Sequence, residues 1–317
     1  MTTFQKVALV GKGSLGSILL GELLKAQFTV TVLTRSNSTS NTTNPPDGVT
    51  LKQVDYSSIE DLKSALHGND IVISTLTPTA IALQKPIIDA SIAVGVKRFI
   101  PADYGAMSSD PSGEAQKLPF HAPAVGIQNY LRERESEIEH TIFAVGAFLE
   151  LIFTMPIAVD FAKRAVSLYD GGEHGFSVSR LATVARAIVG AIQKPEETRN
   201  RVVRVHDAVL TQRKVYNLAK KWTAGESWTE TNVNAQEQLE GTLASLQKEL
   251  DPALIPALFI AAFFSGRYGA EYKDEDLDNE LLGLGLMSDA EVERFGLELN
   301  PVLASVDPVK YYKDGKE

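Results

Sequence analysis

Hydrophobic and polar positions alternate in a regular order over the first half of the chain. Short apolar or alternating runs, typical of β-strands, are separated by longer segments with apolar residues three or four positions apart, typical of helices. The predicted strands are residues 6–10, 28–33, 49–54, 70–76, 97–100 and 140–145. The predicted helices are residues 15–25, 58–66, 80–94 and 123–137. This order predicts an α/β fold built on a doubly wound parallel sheet.

The first predicted strand ends in a glycine-rich turn. Gly11, Gly13 and Gly16 form a Gly-x-Gly-x-x-Gly pattern between a strand and a helix, as in dinucleotide-binding βαβ units. The first glycine permits a tight turn, the second lets the backbone approach a pyrophosphate, and the third lets the helix pack closely on the strand. The helix N-terminus adds free N–H groups that favour an anion. The predicted cofactor-binding residues at this turn are Gly11, Lys12, Gly13, Ser14, Leu15 and Gly16.

The end of the second predicted strand indicates which dinucleotide is bound. An NAD site places Asp or Glu there to bind the ribose 2′-hydroxyl, whereas this chain has Arg35 between Thr34 and Ser36. A guanidinium flanked by hydroxyls suits a 2′-phosphate, so we predict NADPH as the cofactor. Lys12 could add a second positive charge near the same phosphate. The alternative is that Arg35 is only a solvated loop charge.

Further cofactor contacts are expected where the next strands end. Ligands of a doubly wound sheet lie beyond the carboxyl ends of its strands. Asp55 follows the third strand and is predicted to face the adenine. The predicted contacts after the fourth strand are Thr75, Thr77 and Pro78.

Composition limits the possible partners. The 317 residues are 44% hydrophobic, enough for a large core, and the net charge of −9 argues against binding nucleic acid. The absence of cysteine excludes disulfides and thiolate catalysis, and the histidines lie too far apart to predict a metal site. The start of the chain lacks a signal-type pattern, and the longest apolar run, 253–264, is too short to span a membrane. We therefore expect a cytoplasmic monomer or homodimer that acts on a small molecule, with 253–264 as a buried helix.

Four features of the sequence resemble one known family. They are the glycine turn, Arg35, the segment Gly95-Val96-Lys97-Arg98-Phe99-Ile100-Pro101-Ala102-Asp103-Tyr104-Gly105, and the sixth strand running into Gly146-Ala147-Phe148. Together they resemble the isoflavone reductase-like and NmrA-like group of atypical short-chain dehydrogenases, over residues 5–210. The resemblance implies an NADPH-binding Rossmann domain and a smaller substrate domain. It also implies reduction of a small aromatic or polycyclic secondary metabolite.

The domain plan that follows has two parts. Residues 1–150 are expected to form the NADP-binding Rossmann domain. Residues 151–317 are expected to form mainly an α+β substrate-binding domain, with some segments returning to the Rossmann sheet. The acidic stretch 271–280 is expected to be solvated.

The chain departs from the family at the position of the catalytic lysine. The resemblance places that lysine at the start of the helix after the fifth strand, where this chain has Ala124. The nearest replacements are Tyr104, Asp103 and His121, and His121 has the side chain whose ordinary pKa best suits acid–base work. The alternatives are that His121 caps the helix and that Tyr104 only packs.

The missing lysine leaves two other functions open. One is an NmrA-like redox sensor that binds NADP without turnover, and the other is an enzyme that catalyses a non-redox rearrangement or cyclisation. The apolar stretches 148–153 and 258–264 are typical of a core, but any part that faces the nicotinamide would indicate a bulky, apolar or aromatic substrate. The predicted substrate-binding residues are Phe148, Phe153 and Phe263.

Overall fold

A computed structural model describes residues 4–35, 45–249 and 251–303. Its strands β1 to β12 are Lys6–Val10, Thr29–Arg35, Val49–Val54, Ile71–Ser74, Arg98–Ile100, Glu139–Ala144, Ala147–Phe148, Ala165–Tyr169, Gly175–Ser179, Arg201–Arg204, Ala208–Thr211 and Thr229–Val233. Its helices α1 to α10 are Ser14–Lys25, Ile59–Leu66, Gln84–Ala93, Ala122–Arg132, Leu149–Thr154, Leu181–Gln193, Gln212–Trp222, Ala235–Lys248, Ile255–Phe264 and Asp289–Leu303. Short 3-10 helices, among them Pro78–Leu83 and Pro119–His121, lie between these elements.

The main sheet has seven strands in the order β10-β6-β5-β4-β1-β2-β3, and all neighbours are parallel. The order reverses direction between β1 and β4, which is the switch point where doubly wound sheets bind ligands. In the register, Val10 is paired with Leu33 on one side and with Ser74 on the other, so three strands end level with the glycine turn. The expected doubly wound Rossmann fold is confirmed.

The inner strands of this sheet are mostly apolar because helices cover both faces. Successive side chains of a strand point to opposite faces. Leu9 and Ile73 therefore pack on the face covered by α1 and α6, whereas Ala8 and Val72 pack on the face covered by α2 and α3. All four residues of β4 are buried, which explains its uninterrupted apolar sequence up to Ser74.

Two segments from beyond residue 150 belong to this layered structure. Strand β10 pairs with β6 at one edge of the sheet. Helix α6 packs along α1. The remaining later strands form a three-stranded sheet, β11-β9-β7, and a two-stranded sheet, β12-β8.

A second core holds the C-terminal half together. It includes Phe153, Phe176, Phe263 and Phe264, all almost completely buried. The apolar run at 253–264 is the buried helix α9, preceded by a 3-10 helix whose N-cap is Asp251, so the sequence prediction is confirmed. Among the residues described, no helix combines the length and the apolar character needed to cross a membrane.

The acidic stretch 271–280 corrects one expectation, because it is not simply solvated. Tyr272 and Asn279 are buried, and the Asp278 carboxylate accepts hydrogen bonds from the Arg201 guanidinium at 2.6 and 3.1 Å. Asp278 also accepts from the backbone N–H of Arg204 at 2.9 Å. Hydrogen bonding along β10 therefore holds this segment at the edge of the main sheet.

Candidate active site

The three glycines of the turn differ in what surrounds them. Gly11 has a positive φ of 96°, which favours glycine. A Cβ at Gly16 would lie 2.6 Å from the Gly11 backbone oxygen and 2.7 Å from Thr75 Oγ1, so this position allows no side chain. A Cβ at Gly13 would meet no atom of the described part of the chain within 4 Å. The turn is therefore closely packed on its inner side and open at Gly13, where a pyrophosphate could approach.

The other predicted residues of the turn lie around this opening. Ser14 is the first residue of α1, and Lys12 is exposed. The Leu15 side chain is buried in the core, so only its backbone N–H can serve a phosphate. Thr75 Oγ1 donates to the backbone oxygens of Val10 and Gly11, at 3.2 and 3.1 Å.

Arg35 lies at the last position of β2 and is exposed, beside the turn. The Tyr56 hydroxyl donates to the Leu33 backbone oxygen at 2.8 Å, and the Gly11 N–H donates to the same oxygen at 3.1 Å. Burial raises the pKa of Tyr56 to about 12, partly opposed by the nearby Arg35 charge. The backbone oxygen of Leu33 thus links the end of β2, which carries Arg35, to the glycine turn. Ser36 lies outside the described residues.

Asp55 and the residues after Thr75 form the rest of the predicted cofactor edge. Asp55 Oδ1 accepts from Ser57 Oγ at 2.6 Å and from Ser57 N at 2.9 Å, and these bonds lower the pKa of the carboxyl. Thr77 and Thr79 share a hydroxyl hydrogen bond of 3.0 Å. Pro78 begins the following 3-10 helix.

Tyr104, the first catalytic candidate, follows β5 at the carboxyl edge of the sheet. Its hydroxyl donates to the Ser74 backbone oxygen at 2.9 Å. Burial raises the pKa of Tyr104, and the neighbouring Asp103 raises it further. The phenol is therefore neutral at pH 7, and its proton is already donated to the backbone at the end of β4.

Asp103, the residue before Tyr104 in the loop after β5, is also buried. Its Oδ1 accepts from Ser108 Oγ at 2.7 Å, and its Oδ2 accepts from Gln128 Nε2 at 2.6 Å. Burial raises the pKa of this carboxyl against these hydrogen bonds. Both oxygens are thus engaged in holding the loop after β5 to α4.

His121 lies directly before α4 and is only 8% exposed. Its side chain makes no capping hydrogen bond to that helix, which argues against the capping alternative. Nε2 is buried and has no hydrogen-bond partner among the described residues. Burial lowers the pKa of His121 to about 4, so the imidazole is neutral at pH 7.

Comparison with known proteins identifies the family. The model of the NmrA-like family matches residues 4–251. The chain belongs to the NmrA-like family. A curated relative, "Oxidoreductase aprR" of Aspergillus flavus, is 31% identical over 248 residues, which cover 77% of this chain and 82% of the relative. "Oxidoreductase poxI" of Penicillium oxalicum is 28% identical over 72% of each chain.

A solved structure extends the similarity of this NmrA-like chain to most of its length. The complex of leucoanthocyanidin reductase with NADPH from Vitis vinifera has a TM-score of 0.70 and 18% identity. It covers 92% of this chain and 98% of the other. The expected family is confirmed, and the names of the curated relatives agree with the expectation of an oxidoreductase.

The predicted substrate-binding residues of this NmrA-like chain differ in exposure. Phe148 is half-buried at the end of β7. Phe153 and Phe263 are 0% and 1% exposed and lie inside the second core. Phe153 contacts Trp222, with ring centroids 5.5 Å apart, and Phe263 contacts Phe176 at 5.2 Å. These two side chains therefore have no surface to offer a ligand, whereas Phe148 has one.

Sequence reasoning missed an aromatic pair beside His121. The ring of Phe120 lies 4.4 Å from the His121 ring and 5.5 Å from the Phe259 ring of α9, edge-on to the latter. Phe120 and Phe259 are half-buried. Phe120 could have been noticed as the neighbour of a candidate residue. Phe259 could not, because its apolar surroundings along the chain are those of a core helix.

Proposed function

We propose that this protein is an NADPH-dependent reductase acting on a small aromatic or polycyclic molecule. The observation that carries the cofactor assignment is Arg35 at the last position of β2, beside a glycine turn whose Gly13 is open. The names of the curated relatives and the NADPH in a neighbouring structure support the same assignment.

The residues present fit a bound dinucleotide phosphate. The N–H groups of Ser14 and Leu15 at the start of α1 would hold the pyrophosphate, because the turn leaves them unpaired and the helix N-terminus attracts an anion. Arg35 would pair with the 2′-phosphate. When bound, NADPH supplies the hydride, and the protein must supply orientation and a polar group for the substrate oxygen.

We assign that polar group to His121. The neutral imidazole has a buried Nε2 without a hydrogen-bond partner in the described part of the chain, and an unpaired buried polar atom costs about 1–3 kcal/mol unless an acceptor bonds to it. A neutral imidazole can stabilise developing negative charge on oxygen by donating a hydrogen bond. Tyr104 and Asp103 are engaged by other protein atoms, so we assign them positioning roles at the end of β5.

The substrate class is supported by the half-buried aromatic side chains. Phe120 presents a ring surface beside His121, and Phe259 packs edge-on against Phe120. Phe148 offers a separate half-buried ring at the end of β7. Aromatic walls bind flat apolar ligands through offset or edge-on contacts. A flat ring that carries a carbonyl would satisfy both these walls and the unpaired imidazole.

The cofactor half of the proposal is tested by calorimetry with NADPH and NADH. Arg35→Ala should weaken NADPH binding by about 1.5–3 kcal/mol, the strength of a hydrogen bond to a charged group, and leave NADH binding unchanged. Lys163→Ala, which removes an exposed charge from the loop before β8, is the matched control and should change neither. Tighter binding of NADH than of NADPH by the wild type would contradict the assignment.

The reaction is tested by following NADPH oxidation together with product formation by mass spectrometry. The candidate substrates are naphthoquinones, flavonoids and aryl ketones, with aliphatic ketones of similar polarity as controls. Turnover of aromatic members only is expected. Turnover confined to aliphatic ketones would contradict the substrate class.

One observation also favours a second candidate, an NADP-binding sensor without turnover. Ala124 stands where the resemblance places a lysine, and the Tyr104 proton is engaged by Ser74. The same observation would suit a non-redox rearrangement or cyclisation. Binding of NADPH without its oxidation in extracts rich in aromatic metabolites would favour the sensor, and product formation without NADPH loss would favour the non-redox enzyme.

A further inference from the structure

A tyrosine hydroxyl from the C-terminal part of the chain joins two strand ends of the main sheet. Tyr272 Oη accepts a hydrogen bond from the Gly146 N–H at 2.9 Å and donates to the Ala106 backbone oxygen at 3.1 Å. The Gly105 oxygen lies 3.4 Å away. Gly146 directly precedes β7, and Ala106 belongs to the loop after β5 that carries Asp103 and Tyr104. Because β5 and β6 are neighbours, one phenol connects two adjacent loops at the carboxyl edge.

The phenol can make both bonds only while it keeps its proton. Tyr272 is 6% exposed, and burial raises the pKa of its hydroxyl. A neutral hydroxyl donates one bond and accepts others, which is what the Ala106 oxygen and the Gly146 N–H require. The hydrogen bond to Gly146 is made to a backbone segment that has little freedom to move. Gly146 has a φ of 71°, and a Cβ there would lie 2.2 Å from the Ser177 backbone oxygen.

A second set of contacts fixes the tyrosine itself. The Tyr272 N–H donates to Ser177 Oγ at 2.9 Å, and that hydroxyl also bonds His206 Nδ1 at 2.9 Å. The His206 ring lies parallel to the Tyr272 ring, 6.4 Å away and inclined by 7°. Burial lowers the pKa of His206, so the stacked ring is neutral. These contacts hold both the main chain and the ring of Tyr272, and they thereby fix the position of the hydroxyl that bonds the two strand ends.

We propose that Tyr272 is a positioning residue for the nicotinamide half of the cofactor site, because its hydroxyl fixes the loop after β5 against the turn after β6. This inference rests on the proposed function. The adenosine half belongs to the ends of β1 to β3, where the glycine turn, Arg35 and Asp55 lie. The nicotinamide half of a doubly wound site belongs to the other side of the switch point, beyond β4, β5 and β6. Tyr272 acts only on that second half.

The test compares Tyr272→Phe with Tyr169→Phe in the full-length protein. Tyr169 is a matched control because its ring is buried in the second core, while its hydroxyl forms no hydrogen bond to the residues that the structure describes. Calorimetry gives the affinity for NADPH, which is governed by the phosphate contacts. The fluorescence lifetime of the bound nicotinamide and the amide hydrogen exchange of residues 101–108 and 145–148 report on the second half.

For Tyr272→Phe we expect the NADPH affinity to stay within about threefold, because the phosphate contacts are untouched. The nicotinamide lifetime should fall towards that of free NADPH, and exchange in the two loops should rise at least about tenfold. Tyr169→Phe should change neither. If Tyr272→Phe does not fold, Ser177→Ala, which removes the acceptor of the Tyr272 N–H, should shift lifetime and exchange in the same direction.

Two negative results have different meanings. Failure of the wild type to bind NADPH would overturn the proposed function and this inference together. Normal binding by the wild type, with an unchanged lifetime and unchanged loop exchange in Tyr272→Phe, would overturn the inference alone, even if the variant melted at a lower temperature.

Discussion

The hydroxyl of Tyr104 donates a 2.9 Å hydrogen bond to the backbone oxygen of Ser74, and so ties the loop after β5 to the end of β4. We therefore expect Tyr104→Phe to affect stability more than chemistry. Loss of this hydrogen bond should lower the free energy of unfolding by about 1 kcal/mol, as measured by urea denaturation. Turnover should fall less than about tenfold, because a phenol already bonded to the main chain is not the donor. A loss of a hundredfold or more would restore Tyr104 as the catalytic group.

His121→Ala should show the opposite pattern. If the imidazole meets the substrate oxygen, its removal should reduce turnover by about 10²–10⁴-fold and leave the affinity for NADPH unchanged. His140→Gln is the matched control. His140 is also buried, and burial lowers its pKa to about 4. It lies near the start of β6, at the opposite ends of the strands from the candidate site. The control should lose stability but not turnover. Equal turnover in His121→Ala and the wild type would show that another group or water serves the substrate.

The Rossmann half could be predicted because its signals are local. Strand β4 is buried along its whole length, so its apolar run is uninterrupted, and the demands on Gly11 and Gly16 follow from one turn and its neighbour Thr75. The strand β12 was missed for the opposite reason. Four of the five residues of β12 are exposed, so its sequence carries no strand pattern.

Parts of the site depend on contacts between distant segments. Gln84 interrupts the predicted helix 80–94, where the 3-10 helix Pro78–Leu83 gives way to α3. Its side chain is completely buried, and its Oε1 accepts from the Ala102 N–H at 2.7 Å. Tyr272 lies in a stretch whose composition indicates solvent exposure. No local pattern along the chain could have shown either contact. By contrast, adjacent residues of an extended segment point to opposite faces, and His206 and Asp207 accordingly bond different residues, Ser177 and Arg180 respectively.

Gly13 and Gly16 should respond differently to the same substitution. Gly16→Ala places a methyl group 2.6 Å from the Gly11 oxygen, and such overpacking should cost about 1–3 kcal/mol of stability as well as NADPH binding. Gly13→Ala meets no atom of the residues that the structure describes, so its free energy of unfolding should stay within about 0.5 kcal/mol of the wild type. Its NADPH affinity should nevertheless fall at least about tenfold, because the methyl group occupies the space through which a pyrophosphate approaches. Urea denaturation and calorimetry check both variants. Wild-type affinity in Gly13→Ala would place the cofactor elsewhere.

The last prediction concerns Glu150, a buried carboxyl on α5. Its two oxygens accept from the Leu181 N–H at the start of α6, at 3.0 and 3.3 Å. Burial raises the pKa of Glu150 to about 7, and the nearby Asp207 adds to the rise while Arg180 and the backbone hydrogen bonds oppose it. The folded state therefore holds this proton more tightly than the unfolded chain does. Its contribution to stability is complete below pH 4.5 and is lost as the pH rises to 7.

Glu150→Gln should remove that loss, because the amide stays neutral and keeps an oxygen for the Leu181 N–H. Between pH 4.5 and pH 8 the variant should gain about 3 kcal/mol in the free energy of unfolding relative to the wild type. The comparison must be made between variants, because His121 and His140 have lowered pKa values and oppose the trend by stabilising the fold as pH rises. Urea denaturation at several pH values measures the difference, with Glu249→Gln, exposed at the end of α8, as the control. Parallel curves for Glu150→Gln and the wild type would show that Glu150 titrates in the folded protein as it does in the unfolded chain.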